Sequence, residues 1–500
     1  MLRRDLLRSF ASAPLALKAR SMAALNRYEP TWASIDARPT PRWFTDAKFG
    51  IFIHWGVYSV PAYAPINVKG ETPYSEWYWH SLTNGMKAEG ASGRGAHTWR
   101  FHQRVYGRDF TYPDFAPMFR AEMFDPDHWA GVFRRAGAKY VVLTSKHHDG
   151  FTLWKSEEAN RAWGRPWNSV DIGPRRDLLA ELSEAGRRKG LRMGFYYSLY
   201  EWYNPLWLSD RKRYVAEHVF PQFKDVVTHA KPSIIFSDGE WDMPSEQWRS
   251  PELLAWLFNE SPVRDEVVIN DRWGKETRHR HGGYYTTEYT AGMLQGGHPW
   301  EESRGMGQSY GYNRVETAQD YHTTRQLLLM LIDILSRGGN LLLDIGPMAD
   351  GRIPEIMELR LLEMGEWLGP NGEAIYGTRP WRRSKQWGRG EVQKLEQKEF
   401  RAEYDIRKLV DEPPPGFARI EAFFTAKEDA VYAIVPRRPL GEIVIDEVEA
   451  PSGVRVTLLE TGEAMSASIS GRQLRIRVPD ALSASLPARE AYVFKIAGAR

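Results

Sequence analysis

The segment Tyr140–Gly150, YVVLTSKHHDG, joins an apolar run to a cluster of titratable side chains. A short run rich in valine and leucine fits a strand that is buried on both faces of a parallel sheet. Lys146, His147, His148 and Asp149 follow at the carboxyl end of that run. Because the carboxyl ends of parallel strands gather on one side of a sheet, polar residues at such ends indicate an active site.

The same pattern recurs along the chain. The other predicted strands are Phe49–His54, Met193–Ser198, Ser233–Asp238, Glu266–Asp271, Tyr284–Tyr289 and Asn340–Ile345. Amphipathic helices are predicted between them, one of which begins after Asp125 and buries Trp129, Val132 and Phe133. Six successive predicted strands end in polar or aromatic residues, as in Asp238-Gly239-Glu240-Trp241.

Repeated alternation of strand and helix predicts an α/β fold with a parallel sheet. Polar residues at so many strand ends favour a closed (β/α)8-like TIM barrel over residues 29–381. An open doubly wound sheet would collect them near one switch point, and we find no glycine-rich phosphate loop.

The region after the barrel differs in composition. The charged stretch 382–415 ends in three prolines and is interpreted as a linker. Residues 416–500 then show apolar and polar residues in alternation, which predicts a small antiparallel β-sandwich domain. We find no catalytic cluster in that domain.

Composition excludes several classes of function. The chain has 500 residues, a formal net charge of +3 and no cysteine. Disulfides and thiolate sites are therefore absent, no extended basic face for nucleic acid is indicated, and neither a cofactor nor a metal ion is predicted. No run is long and apolar enough to span a membrane. The oligomeric state is left open.

Residues 1–28 contain the pair Arg3-Arg4, a short weakly apolar stretch and small residues where a peptidase could cut. This pattern is similar to a twin-arginine export signal, although Arg8 interrupts the apolar stretch. We expect a periplasmic or secreted protein, with a cytoplasmic protein as the alternative.

Many separate motifs, in order, resemble those of the α-L-fucosidases of glycoside hydrolase family 29, over about Trp43 to Trp381. The motifs are WFTDAKFGIFIHWGVYSVPA, EWY, AGAKYVVLTSKHHDGF, NSVDIGPRRDLLAEL, GFYYSLYEWYNP, SDGEW, INDRWG and GGNLLLDIGPMADGRIP. The resemblance implies a retaining exo-glycosidase that hydrolyses α-L-fucosidic bonds through a covalent fucosyl-enzyme intermediate. A fucosylated glycan or oligosaccharide would be its substrate.

The resemblance also implies roles for two carboxylates. Asp238 matches the family's nucleophile, and the alternative for it is an aspartate that caps the following turn. Glu288 matches the general acid and base, with Glu301 as the alternative acid/base residue. For either glutamate, a salt bridge at the rim is the other interpretation.

The remaining matched positions imply a pocket for fucose. They are His54, Glu76, Trp77, His147, His148, Tyr196 and Arg272. A neutral histidine offers sugar hydroxyls one donor and one acceptor. L-fucose carries a methyl group that requires an apolar wall, for which Phe236 is a candidate.

Two other functions are weighed. His54, His147, His148 and Asp238 could be ligands in a metal-dependent barrel hydrolase, although adjacent histidines point to opposite faces of a strand. The barrel could also be a catalytically inactive sugar-binding protein. The glycine-rich stretch 84–103 is predicted to form a rim loop near the leaving group, so the preferred linkage is not predicted.

Overall fold

The computed structural model describes residues 27–88, 93–294, 296–451 and 453–499. The predicted export signal falls almost wholly outside these described residues. Two eight-stranded sheets organise the chain. No helix within the described ranges is both long and apolar enough to cross a membrane.

The first sheet is the predicted barrel. Its strands are β1 Phe49–Ile53, β2 Tyr140–Lys146, β3 Arg192–Ser198, β4 Ile234–Asp238, β5 Val268–Ile269, β6 Tyr285–Glu288, β7 Trp300–Gly305 and β8 Asn340–Ile345. The strand order is β5-β4-β3-β2-β1-β8-β7-β6, and each neighbouring pair is parallel. The N–H groups of Gly283 and Tyr284 donate to the Ile269 carbonyl at 3.1 and 3.2 Å, which connects the two edge strands.

Strands β1, β2, β4 and β8 are largely apolar because both of their faces are covered. Every residue of β1 and β2 is buried. Inward-facing side chains pack against one another in the barrel interior, and Phe44 covers the amino-terminal end by contacting the rings of Tyr140 and Tyr284. The opposite end is therefore the one open to ligand.

Helices surround the barrel, and a short helix also lies in the second domain. They are α1 Trp32–Asp36, α2 Arg42–Ala47, α3 Tyr78–Lys87, α4 Ala96–Val105, α5 Pro126–Arg135, α6 Glu157–Trp163, α7 Leu178–Arg188, α8 Pro205–Ser209, α9 Arg211–Arg213, α10 Phe220–Ala230, α11 Ser245–Trp248, α12 Ser250–Asn259, α13 Thr324–Ser336, α14 Glu355–Asn371, α15 Ile406–Val410 and α16 Asp480–Ser485. Asp125 caps α5 as predicted, since its side chain accepts from the N–H groups of Asp127 and His128.

The second sheet is antiparallel and forms the predicted C-terminal β-sandwich. Its strands are β9 Arg379–Trp387, β10 Ile420–Lys427, β11 Ala430–Val435, β12 Gly441–Ile445, β13 Val456–Leu458, β14 Ala464–Ser470, β15 Gln473–Val478 and β16 Tyr492–Ala497. The strand order is β12-β15-β14-β13-β16-β11-β10-β9. Side chains of β12 and β15 share one core with side chains of β11 and β16.

The predicted boundaries of the linker need correction. Strand β9 belongs to the second sheet, so a boundary at 381/382 cuts through a strand. The stretch 382–415 also contains α15, and its residues 399–401 run beside β6 of the barrel. A charged composition is typical of linkers, so the sequence of this stretch gave no sign of these contacts.

The rim stretch 84–103 also differs from the prediction. Much of it belongs to helices α3 and α4, which pack closely against each other. A Cβ atom on Gly85 would lie 2.2 Å from the Gly95 carbonyl oxygen, so the two glycines permit this approach.

Candidate active site

One cavity of about 950 Å³ opens at the carboxyl ends of the barrel strands. Its lining includes residues at or near the carboxyl ends of seven strands, as TIM-barrel active sites do. These strand-end residues are His54, His147, His148, Tyr196, Asp238, Arg272, Glu288 and Tyr310. Glu76, Trp77 and Phe236 also line the cavity, so all ten residues predicted as the main site are brought together.

Asp238 ends β4 and is held by four polar neighbours. Its carboxylate accepts hydrogen bonds from Arg272 at 2.9 Å and from the Tyr196 hydroxyl at 2.8 Å. His148 Nε2 lies 3.6 Å away, and Arg278 Nη2 lies 3.8 Å away. Burial by itself would raise the pKa of Asp238, but the two arginines outweigh it and hold that pKa below its ordinary value. This carboxylate therefore stays ionised.

Glu288 ends β6 and accepts a hydrogen bond from Nη2 of Arg272 at 3.1 Å. Burial raises the pKa of Glu288, the Arg272 guanidinium opposes that rise, and the charge on Asp238 adds to it. The net effect is a raised pKa, so Glu288 keeps its proton to a higher pH than Asp238 does. The two acids thus have pKa values shifted in opposite directions, as separate acid and nucleophile roles require.

Arg272 joins the two acids, because Nη1 binds Asp238 and Nη2 binds Glu288. Its Nε donates to the Thr286 hydroxyl at 2.9 Å, and that hydroxyl donates to Asp271 at 2.7 Å. The guanidinium also lies over the Phe236 ring, 4.8 Å from its centroid. These contacts fix the guanidinium plane and, through it, the relative position of both carboxylates.

The three predicted histidines are buried and differ in their partners. His54 Nδ1 pairs with Asp344 at 2.6 Å, and His148 Nδ1 pairs with the Ser198 hydroxyl at 2.6 Å. His147 Nδ1 is buried with no hydrogen-bond partner among the described residues. Burial lowers the pKa of all three, that of His147 to about 3. The imidazoles are therefore neutral and can both donate and accept.

Glu76 lies in the 3-10 turn Ser75–Trp77 on the cavity wall. Its carboxylate accepts from the Gly311 N–H at 2.9 Å and from the Ser309 hydroxyl at 3.2 Å. Burial raises the pKa of Glu76 to about 7. The adjacent Trp77 ring packs 5.6 Å from the His148 ring, so this turn places one acid and one flat apolar face beside the histidines.

Phe236 and Phe52 form the apolar part of the wall. Their ring centroids lie 5.0 Å apart, and both side chains line the cavity. Phe236 faces inward two residues before Asp238, because alternate residues of a strand share a face. An apolar surface thus lies next to the ionised acid.

Glu301, the alternative acid/base residue, lies outside the cavity. It is the second residue of β7, near the amino-terminal end of the barrel, where it accepts a hydrogen bond from the hydroxyl of Tyr140. It is fully buried and does not line the cavity, and burial raises its pKa to about 8. The alternative acid/base residue is thus separated from the site by the barrel interior.

Several residues of the site were not assigned from the sequence. Glu240 accepts from Arg278 Nε at 2.6 Å, and the Tyr310 ring stacks on His54 at 4.7 Å. Glu240 could have been noticed, since it stands beside Asp238 in the strand-end motif SDGEW. Tyr310 follows β7, a strand that the sequence pattern did not predict.

The histidine-rich wall does not have the arrangement of a metal site. Within the described part of the chain, no three His, Asp or Glu side chains are grouped so that they could hold one metal ion. His54 and His148 each use Nδ1 for a hydrogen bond inside the protein, to Asp344 and Ser198.

The chain is similar to known alpha-L-fucosidases over most of its length. The family model described as alpha-L-fucosidase matches residues 15–373. The chain is 46% identical to the alpha-L-fucosidase of Dictyostelium discoideum over 366 residues, 71% of this chain and 76% of that protein. It is 39% identical to the human tissue alpha-L-fucosidase over 487 residues, 95% of this chain and 92% of that protein.

Solved structures give the same result. The Thermotoga maritima alpha-fucosidase, in complex with a mechanism-based inhibitor, matches with a TM-score of 0.74 and 35% identity, covering 94% of this chain and 100% of that one. The same protein in complex with fucose matches with a TM-score of 0.73. The extent of these matches, together with the barrel and its paired acids, shows that the chain belongs to the alpha-L-fucosidase family of glycoside hydrolases.

Proposed function

We propose that this protein is a retaining exo-glycosidase that removes α-L-fucose from glycans or oligosaccharides by double displacement. The observation that carries the proposal is the pair Asp238 and Glu288, held by one guanidinium and shifted in pKa in opposite directions. Both carboxylates lie in one cavity, which also supports the proposal over that of an inactive sugar-binding barrel.

In the first step, an Asp238 oxygen attacks the anomeric carbon of fucose while the glycosidic bond breaks. Glu288 gives its proton to the departing oxygen, so that the leaving group departs as a neutral alcohol. In the second step, Glu288 takes a proton from water, and the water oxygen displaces Asp238 from the anomeric carbon. The two inversions leave the sugar with its original α configuration.

The cavity wall provides both kinds of contact that L-fucose needs. The neutral imidazoles of His54, His147 and His148 can exchange hydrogen bonds with ring hydroxyls. The apolar surface of Phe52 and Phe236 suits the methyl group at C6.

Proton NMR during hydrolysis of an aryl α-L-fucoside tests the proposal. We expect α-L-fucose to be the first sugar observed, before mutarotation produces the β anomer. Initial formation of the β anomer would show an inverting enzyme, and absence of hydrolysis would favour the sugar-binding alternative.

We also propose that residues 1–28 direct export to the periplasm or the exterior. The pair Arg3-Arg4 supports a twin-arginine route. A reporter fused after residue 28 should be exported, and changing both arginines to lysine should stop that export. A reporter that stays in the cytoplasm with the arginines intact would contradict this.

A further inference from the structure

A short segment from the C-terminal half of the chain, residues 399–401, lies directly beside Glu288. The Glu288 N–H donates to the Glu399 carbonyl at 2.9 Å, and the Arg401 N–H donates to the Glu288 carbonyl at 2.9 Å. Glu288 and Phe400 are thereby partners in a parallel bridge. The segment is thus a backbone neighbour of the proposed acid.

This pairing fixes where the Phe400 ring lies. Residues directly paired across two strands present their side chains on the same face. Both side chains line the same cavity, but Glu288 is largely covered whereas Phe400 is 46% exposed. The Phe400 ring therefore stands next to Glu288, on the side toward the cavity opening.

The path of the segment is set by specific contacts. Tyr289 and Arg401, the residues after the two bridge partners, have φ angles of 52° and 44°. Residues other than glycine rarely adopt such angles, and they persist where surrounding structure imposes them. Tyr404 further anchors the segment by donating to buried Asp333 at 2.8 Å.

Arg401 places hydrogen-bond donors beside Phe400. Its Nε donates to the Tyr74 hydroxyl at 2.9 Å, and its guanidinium lies 4.7 Å from the centroid of the Tyr74 ring. Among the residues that the structure describes, Arg401 makes no other side-chain hydrogen bond and no ion pair. Arg401 also lines the cavity, and its terminal N–H groups have donors to spare.

We propose that Phe400 and Arg401 form the binding site for the sugar to which fucose is attached. This inference rests on the proposed function, in which Glu288 gives its proton to the glycosidic oxygen. The leaving sugar is bonded to that oxygen, so it must lie beside Glu288, where Phe400 stands. One apolar C–H face of the sugar packs on the Phe400 ring, and a hydroxyl oxygen accepts from the Arg401 guanidinium. Selectivity for the leaving sugar thus comes from the C-terminal half of the chain.

The test compares a substrate that reaches this site with one that does not. α-L-Fucosyl fluoride has no leaving sugar, whereas a fucosyl disaccharide does. The disaccharide is the one that the wild-type protein cleaves fastest in a set of defined linkages. Phe400→Ala should lower the ratio of kcat/KM on the disaccharide to kcat/KM on the fluoride about tenfold, since an aromatic contact contributes about that factor. Arg401→Met should lower the same ratio.

Two controls complete the design. Phe400→Trp keeps an aromatic face and should largely preserve the ratio. Val392→Ala alters another exposed apolar residue of the same stretch, also 46% exposed but outside the cavity, and should leave both activities unchanged.

The possible outcomes test the inference and the proposed function separately. A ratio that is unchanged in both Phe400→Ala and Arg401→Met would overturn the inference while leaving the proposed function intact, as would a wild-type protein that cleaves only the fluoride. A wild-type protein inactive on both substrates would overturn the proposed function itself.

Discussion

Arg272 is the side chain on which both carboxylates depend. One guanidinium binds Asp238 and Glu288 at 2.9 and 3.1 Å, yet their pKa values move in opposite directions. Arg278 lowers the pKa of both acids, but Asp238 lies 3.8 Å from it and also accepts a hydrogen bond from the Tyr196 hydroxyl, so the pKa of Asp238 is the one held low. The charge of Asp238 then helps to keep the proton on Glu288.

Replacing Glu288 tests its role through the leaving group. Glu288→Gln should reduce kcat/KM at least a hundredfold on fucosides with poor leaving groups, because general acid catalysis contributes about 10²–10⁴-fold. Activated aryl fucosides, which need little protonation, should be affected far less. Steady-state kinetics over a series of leaving-group pKa values measures this. Equal losses on all substrates would point to another acid.

Glu301 should affect stability instead of catalysis. Its pKa is about 8 in the folded protein, above the ordinary value of a glutamate, so the folded state keeps a proton that the unfolded chain releases. The contribution of Glu301 to the free energy of unfolding is fully present below the unfolded pKa. It is lost progressively as the pH rises from there through about 8. Between pH 5 and 7 the loss is about 3 kcal/mol.

Glu301→Gln should therefore flatten the pH dependence of the unfolding free energy over that range by about this amount. Urea unfolding at several pH values measures it, with wild type and variant compared at each pH. Parallel curves for the two proteins, or a large loss of fucosidase activity, would contradict the placement of Glu301.

At the level of elements, the strands with apolar sequences were the ones that could be predicted. Strands β1, β2, β4 and β8 were predicted to within about two residues because their buried faces leave continuous apolar runs. Strand β7 was missed, since its sequence is WEESRG although every residue in it is buried. Its charged groups are covered by tertiary partners, such as Thr287 for Glu302.

The residues that line the cavity were predicted more completely than the stretches around it. Most of them lie at or near strand ends, where the barrel itself brings them together. The stretch 382–415 was interpreted as a linker because charge and proline dominate it. Its placement depends on contacts such as Tyr404 with Asp333, which join residues 71 positions apart and leave no local pattern.

At the level of the whole molecule, one face of the second sheet packs into the apolar core around the barrel, and the other face forms the core of the sandwich. Helix α13 packs against β8 of the barrel and against β9 and β10 of the second sheet. Asp333 of α13 is fully buried and binds Arg337 at 2.9 Å, Tyr404 at 2.8 Å, and the ammonium group of Lys385 on β9. This ion cluster ties the second domain to the barrel.

Asp333→Asn should destabilise the protein by about 3–5 kcal/mol, because Lys385 and Arg337 would remain buried without their counter-charge. The exposed pair Arg213 and Glu217 has the same four-residue spacing as Asp333 and Arg337 and is the matched control. Glu217→Gln should cost far less, because water screens this exposed pair. Urea unfolding compares the two, and equal costs would show that the cluster does not hold the domains together.

The most direct test of the account is chemical rescue of Asp238→Gly. This variant should lose nearly all activity on an activated aryl α-L-fucoside, and added azide should restore turnover by attacking from the side that the carboxylate has vacated. The rescued product should be β-L-fucosyl azide, identified by NMR. Near-normal hydrolysis by the variant without azide would show that Asp238 is not the nucleophile.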